Sequence, residues 1–290
     1  MVPPVPDHVQ IQTVTGCNAS CIFCPNGKTR RTIPSGRRMD WNLYRSIVDQ
    51  SIALGIRRYS VYLMNEPLLD PDLPKRVAYI SARIKKPQYV KVISNGVLLT
   101  DHMARGLLDS GLKKLKISVQ SLDALTYYHV MGMPLDRTLR NIDRFMELKI
   151  RGGYIFPQLE IAMIDTNKGG AEVIGMRRHW QKRGIKLNIE YFENRVDPNR
   201  IQGSPVNHDS MKIFSWCQRL MEQIFILYDG RMVQCCADWE QHSMMGNLAR
   251  EGLADIWYGE HYTDCRSRFA SGDTKGMICA RCLKQDGQNG

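Results

Sequence analysis

Three of this chain's nine cysteines fall within eight residues: Cys17, Cys21 and Cys24, spaced C-x3-C-x2-C. Thiolates are soft ligands that select zinc, copper(I) or iron–sulfur clusters. A structural zinc takes four ligands, and a four-iron cluster ordinarily takes four cysteines. No fourth cysteine lies near this loop. Zinc would have to borrow a distant ligand. A four-iron cluster on three thiolates would keep one iron open, and an open iron can hold a substrate or a cofactor.

The other six cysteines lie beyond residue 215. Cys217 is followed by twelve residues, Gly230, four residues and Cys235, and the chain later closes on Cys279-x2-Cys282. Four thiolates suit tetrahedral zinc or an iron–sulfur cluster equally well. Cys236 and Cys265 remain. Each can be a small buried apolar residue. A buried thiol also stays protonated at neutral pH and can give up a hydrogen atom.

Elements must position these groups. From residue 9 to about 190, short runs rich in Val, Ile and Tyr alternate with amphipathic stretches. The runs 9–14, 58–63, 89–94, 114–119, 159–164 and 186–191 read as strands. Between them, helical spacing covers the stretch from Trp41 to Ile52, then 73–85, 100–110, 136–149 and 170–183. Thr100 is a candidate N-cap, and Gly55 and Gly111 are stops. Parallel strands need crossover helices, so six such units imply a partial (β/α)6 TIM-like barrel, short of the eight units that close one. In such sheets chemistry gathers at the C-terminal strand ends. The strands here run into the triple-Cys loop, "LMNEPLLDP", "SNG", "SVQS" and "EYFENR". After about Pro205 the pattern becomes a hairpin turning at Asp229-Gly230 and a short helix in "GLADIWYGEHY". The expected division is a core over 1–204 and a small α+β domain over 205–290.

With Phe23 before its last cysteine, the loop resembles that of the radical S-adenosylmethionine (SAM) superfamily. In that family the open iron of a [4Fe-4S] cluster is chelated by SAM, whose cleavage yields a 5′-deoxyadenosyl radical that abstracts a hydrogen atom. The resemblance implies that Glu66 in "MNEP" binds the SAM ammonium. Asn65 stands where the family has a glycine. It further implies ribose contacts from Ser94 and Asn95, an adenine wall from Phe23, and SAM or substrate contacts from Ser118 and Gln120. The C-terminal cysteines resemble the SPASM/Twitch extension in its form with one auxiliary [4Fe-4S] cluster, whose ligands would be Cys217, Cys235, Cys279 and Cys282. Cys236 would be structural or an alternate ligand.

Among members with one auxiliary cluster, the chain looks most like carbohydrate-tailoring enzymes of antibiotic pathways. Some are dehydrogenases that pass an electron to the auxiliary cluster. Others are epimerases that return a hydrogen atom from a cysteine. Cys265 tilts the expectation toward epimerisation, and Arg195 would assist deprotonation in a dehydrogenase. Peptide- and RNA-modifying relatives are the alternatives. The implied partners are a small carbohydrate-type substrate and a reductant such as flavodoxin or ferredoxin.

Composition sets outer bounds. The 290 residues, 43% of them hydrophobic, suffice for a buried core, and no apolar run reaches a membrane span. The start "MVPPVPDHVQ" lacks the segments of a signal peptide, so a cytoplasmic protein with reduced thiols is expected. The net charge of +11 comes as scattered basic pairs, which usually form a solvated surface. It sits awkwardly with a polycationic aminoglycoside and leaves anionic or neutral substrates open. No RNA-binding signature with interleaved aromatics accompanies it, so nucleic acid is not the expected partner.

Overall fold

The computed structural model describes residues 4–26, 34–165, 170–191 and 216–280. Six parallel strands form in sequence order: β1 (His8–Ile11), β2 (Arg58–Ser60), β3 (Tyr89–Ser94), β4 (Lys114–Ser118), β5 (Gln158–Asp165) and β6 (Lys186–Tyr191). Helices α1 (Trp41–Ala53), α2 (Leu73–Ser81), α3 (Asp101–Asp109), α4 (Ala124–Met131), α5 (Leu135–Arg151) and α6 (Ala171–Lys182) connect them. Alternate strand residues Val9, Tyr59, Val90, Val92, Leu115 and Ile161 pack into one core with α1 to α6. The opposite parity faces the inside of the partial barrel.

Local sequence explains the boundaries. Asp40 caps α1 by accepting from Asn42 N–H at 2.8 Å and Leu43 N–H at 3.0 Å. Thr100 caps α3 through Met103 N–H. Gly55, at φ +85°, turns the chain from α1 into β2. Helix α5 carries its apolar stripe on Leu135, Ile142, Phe145 and Leu148 and runs slightly past both expected ends.

No residue pattern announces α4. Only Tyr127 and Met131 of this helix are buried, while Leu125 and Tyr128 are exposed, so no clean stripe exists to read.

The C-terminal hairpin forms where expected, from β7 (Gln223–Ile226) and β8 (Arg231–Val233), with Gly230 at φ +85°. It does not build a sheet of its own. β7 pairs in parallel with β1, from His8↔Gln223 to Ile11↔Ile226. With β9 (Met244–Asn247) the result is one nine-stranded sheet in the order β6-β5-β4-β3-β2-β1-β7-β8-β9. An unclosed barrel leaves an edge on β1, and the C-terminal region covers it. The expected single short helix is two, α8 (Leu253–Tyr258) and α9 (Glu260–Ala270), which meet at Gly259. The expected boundary at residue 204 lies outside the described residues. Among those described, no helix is long and apolar enough to cross a membrane.

Candidate active site

The ends of β2 and β3 meet around one carboxylate. After β2, Asn65 folds back so that its Oδ1 accepts from Leu63 N–H at 3.0 Å. Glu66 N–H then donates to Gly16 O at 2.9 Å, tying this strand end to the start of the cysteine loop. Among the described non-glycine residues only Gln241 has a positive φ, so position 65 does not need glycine's conformational freedom.

The Glu66 side chain is 2% exposed. Oε1 accepts from Ser94 Oγ at 2.6 Å and Leu68 N–H at 3.0 Å, and Oε2 accepts from Asn95 N–H at 2.8 Å. A carboxylate offers roughly four acceptor positions, so one is left for a further donor. Burial pushes the Glu66 pKa up, and these three bonds pull it part of the way back. A cation in the remaining position would favour the ionised form.

Asn95 carries the connection onward. Its Nδ2 donates to Asn18 Oδ1 at 2.8 Å and stands 4.0 Å from Cys17 Sγ. Asn141 on α5 holds the same turn, donating to the carbonyls of Gly96 and Val97 at 2.8 and 2.9 Å. Neither Asn18 nor Asn141 stood out in the sequence, because an isolated amide carries no pattern.

The cysteine loop rests on α4. Ser20 N–H and Ile22 N–H donate to the carbonyls of Met131 and Val130 at 3.2 and 2.9 Å. Cys21 Sγ lies 3.6 Å from Met131 Sδ. Gly132 ends α4 at φ +67°, and a Cβ there would overlap Ser20 Oγ. Gly132→Ala should therefore cost about 1–3 kcal/mol and loosen the loop, read as a lower apoprotein melting temperature and lower iron content after reconstitution.

Phe23 and Cys24 pack against a small apolar cluster that includes Met64, Trp239 and Cys236. Trp239 Nε1 is buried there without a hydrogen-bond partner. Gln120 Oε1 accepts from Ile164 N–H at 2.9 Å and so links the ends of β4 and β5. Ser118 ends β4, in register with Ala162.

A second group of sulfurs lies in the C-terminal region. Gln234 Nε2 donates to Cys279 Sγ at 3.2 Å, and Ala237 N–H donates to Cys235 Sγ at 3.4 Å. Cys217 stands at the start of α7 (Gln218–Glu222). The Tyr262 hydroxyl is buried without a partner, and Cys235, Cys265 and Cys279 are among the groups around it. Cys282 lies outside the described residues, as does Arg195.

Cys265 is buried on α9, beside Arg266. The Arg266 guanidinium lies 4.0 and 4.3 Å from the Trp257 and Tyr262 ring centroids. Of the two remaining thiols, Cys236 is the one near an inner-face residue, Tyr62.

Both sulfur groups fit metal-bound thiolates. Burial pushes Cys17 up to about 12, so a free thiolate there is strongly disfavoured. Yet Ala19 N–H, at 3.4 Å, and the Asn95 amide are aimed at its sulfur. Donors on a buried sulfur suit a thiolate whose charge a metal offsets. The donors on Cys235 and Cys279 meet the same test. No three His, Cys, Asp or Glu side chains among the described residues stand around one single-ion position. A four-iron cluster does not require that, because each thiolate binds its own iron.

The family model of the radical SAM superfamily matches residues 11–159. The chain belongs to the radical SAM superfamily. The iron–sulfur cluster-binding SPASM domain model matches 217–283, so this radical SAM protein carries the family's cluster-binding extension. It is 23% identical to S-adenosyl-L-methionine-dependent 2-deoxy-scyllo-inosamine dehydrogenase of Niallia circulans over 280 residues, 94% of this chain and 91% of that one. Its fold is similar to BtrN in complex with AdoMet and 2-DOIA, at TM-score 0.62 and 17% identity, covering 95% of this chain and 92% of that one. It is also similar to Streptococcus suis SuiB bound to precursor peptide SuiA, at TM-score 0.74 and 16% identity, covering 90% and 67%.

Proposed function

We propose that this radical SAM protein is a dehydrogenase that removes a carbon-bound hydrogen from a small polyhydroxylated, carbohydrate-type molecule. The observation that carries the SAM part is Glu66, buried and held by Ser94 and Asn95 with an acceptor position to spare. Cys17, Cys21 and Cys24 would hold a cluster with one open iron, and Cys217, Cys235, Cys279 and Cys282 an auxiliary one. When bound, these clusters and SAM supply the one-electron chemistry: radical generation at the first and electron acceptance at the second.

The protein's own groups bind and orient. Glu66 receives the SAM ammonium through a charge-assisted bond. Ser94 and Asn95 sit where the ribose would lie, Phe23 forms a wall for the adenine, and Ser118 and Gln120 line the neighbouring strand ends. Arg195, in the segment after β6, is the group proposed to assist deprotonation of the hydroxyl on the oxidised carbon, its fixed positive charge favouring the alkoxide while the proton passes to water. The division into a core over 1–204 and an auxiliary-cluster region over 205–290 follows the same reading, with electrons supplied by a flavodoxin- or ferredoxin-type reductant.

Dehydrogenation is put before epimerisation because the curated relative that matches along 94% of this chain is a dehydrogenase. A hydrogen donor must reach the substrate carbon, and Cys265 is buried on α9, next to Arg266, which packs over the Trp257 and Tyr262 rings. Epimerisation stands as the second reading on one observation, the placement of Cys236 near Tyr62 on the inner face.

The test is a panel of cyclitols, hexuronates, sugar phosphates and 2-deoxy-scyllo-inosamine, run with reductant in deuterated water. Dehydrogenation predicts a product lighter by two hydrogens, without solvent deuterium, formed by both Cys265→Ala and Cys236→Ala. A redox-neutral product carrying deuterium, lost in Cys236→Ala, would establish epimerisation instead. Loss in Cys265→Ala alone would return the donor role to that residue.

A further inference from the structure

Parallel strands covered on both faces usually read as continuous apolar runs. β3 and β4 do not. In "YVKVIS" and "KLKIS" the residues Val90, Val92, Leu115 and Ile117 join the helix-packed core, while Lys91, Lys114 and Lys116 take the opposite parity. The inside of the partial barrel is therefore lined with ammonium groups.

Their register brings two of them together. Lys91 pairs with Lys114, and Ile93 with Lys116, so Lys91 and Lys116 are diagonal neighbours on one face. Lys116 Nζ meets Glu190 Oε1 at 2.8 Å, with side chains 13% and 51% exposed. Lys91 makes no ion pair or hydrogen bond among the described residues. Its Nζ stands 5.7 Å from the Tyr62 ring centroid. Burial first, and Lys116 second, lower the Lys91 pKa. Glu160 on β5, opposite Lys116 in register, accepts from Asn188 Nδ2 at 2.9 Å and makes no ion pair with either lysine among the described residues. His8 adds no charge, since burial pushes it down to about 3.

Only Lys116 of the two has an ion-pair partner among the described residues, and the Lys91 ammonium is left unpaired on the inner face. Such an arrangement costs free energy unless a further anion completes it. Depth points the same way. Lys91 lies three residues before Ser94, and at about 3.3 Å per residue it sits roughly 10 Å below the strand end. An anion held at that depth would keep the rest of its molecule toward the strand ends.

We propose that Lys91 and Lys116 form an anion subsite, so that the substrate carries a phosphate or carboxylate seated against both ammonium groups, with its reacting carbon held toward the strand ends. The proposal rests on the reading above that the inner face receives the substrate. It narrows the carbohydrate class to sugar acids and sugar phosphates and sets aside polycationic aminoglycosides.

Calorimetric titration of the reconstituted holoenzyme with inorganic phosphate and, separately, with acetate tests it without turnover. One saturable site is expected for at least one anion: phosphate alone marks a phosphate ester, acetate alone a carboxylate. Lys91→Met and Lys116→Met should each weaken it at least tenfold at unchanged iron content. Lys91→Arg should keep it, and Lys85→Met, on the exposed surface, should not alter it. No saturable binding, or binding unchanged in both methionine variants, overturns the subsite. The substrate panel separates the two readings. If 5′-deoxyadenosine formation responds to neutral or cationic members as strongly as to anionic ones, the subsite fails while the oxidoreductase reading stands. If no member stimulates it although the anion binds at the lysines, the oxidoreductase reading fails alone.

Discussion

Cys21→Ala should reduce 5′-deoxyadenosine formation to background and lower the iron content from about eight to about four per chain. The size of the effect follows from ligand count. A cluster on three thiolates has no spare protein ligand, whereas a four-thiolate site can retain partial occupancy after losing one. The variant should still fold. The loop's backbone is held by Ser20 and Ile22 N–H on the α4 carbonyls, not by the Cys21 side chain. The side chain's own contact is with Met131, and truncation of a small half-buried group costs about 1 kcal/mol. Iron analysis, circular dichroism and chromatography of the SAM cleavage product check the three parts. Unchanged iron with full SAM cleavage would remove the triple-Cys loop from the chemistry.

Glu66→Gln should leave iron content unchanged and weaken SAM binding roughly ten- to a hundredfold, the equivalent of about 1.5–3 kcal/mol for a hydrogen bond to a charged group. The amide is nearly isosteric, but it cannot neutralise an ammonium. Its NH2 would also meet the Asn95 N–H that Oε2 now accepts. The pH dependence has a definite sign. Burial raises the Glu66 pKa above the ordinary carboxylate value, so the ionised form that binds SAM is lost at a higher pH than for an exposed glutamate. SAM affinity should be full above that raised pKa and fall as pH drops through it. For the fold alone the direction reverses. This group's contribution to stability is greatest below the ordinary carboxylate pKa and is lost as pH rises through the raised one. Equilibrium dialysis of SAM against pH should show the fall in the native protein and a flat, weak profile in Glu66→Gln.

The parts of the fold visible in the sequence were those with a strong repeating signal. β3 and β6 fall on the expected residues, and α1, α3 and α5 show their apolar stripes and caps. β1 and β2 end earlier than expected because the chain after β1 turns to bond Arg37 and Met39 through Thr15 N–H and Thr13 O, and Asn65 folds back on Leu63 N–H after β2. The expected site residues Glu66, Ser94, Asn95 and Cys17 converge, since strand-end position is encoded by order along a parallel sheet. What supports them was hidden. α4 lacks amphipathic contrast, and Asn18 and Asn141 act through single contacts. The pairing of β7 with β1 joins residues more than two hundred positions apart, which no local pattern announces. Cys265 has no partner in the motif. Its burial on α9 is a tertiary fact.

In the proposed mode of action SAM binds the iron left open by Cys17, Cys21 and Cys24. Electron paramagnetic resonance of the anaerobically reconstituted, dithionite-reduced protein, recorded before and after adding SAM labelled with nitrogen-15 at its amino group, tests it most directly. A shifted cluster signal with hyperfine coupling to the labelled nitrogen is expected, absent in Cys21→Ala and weakened in Glu66→Gln. A signal indifferent to SAM, or a protein that takes up zinc and no iron, would contradict it.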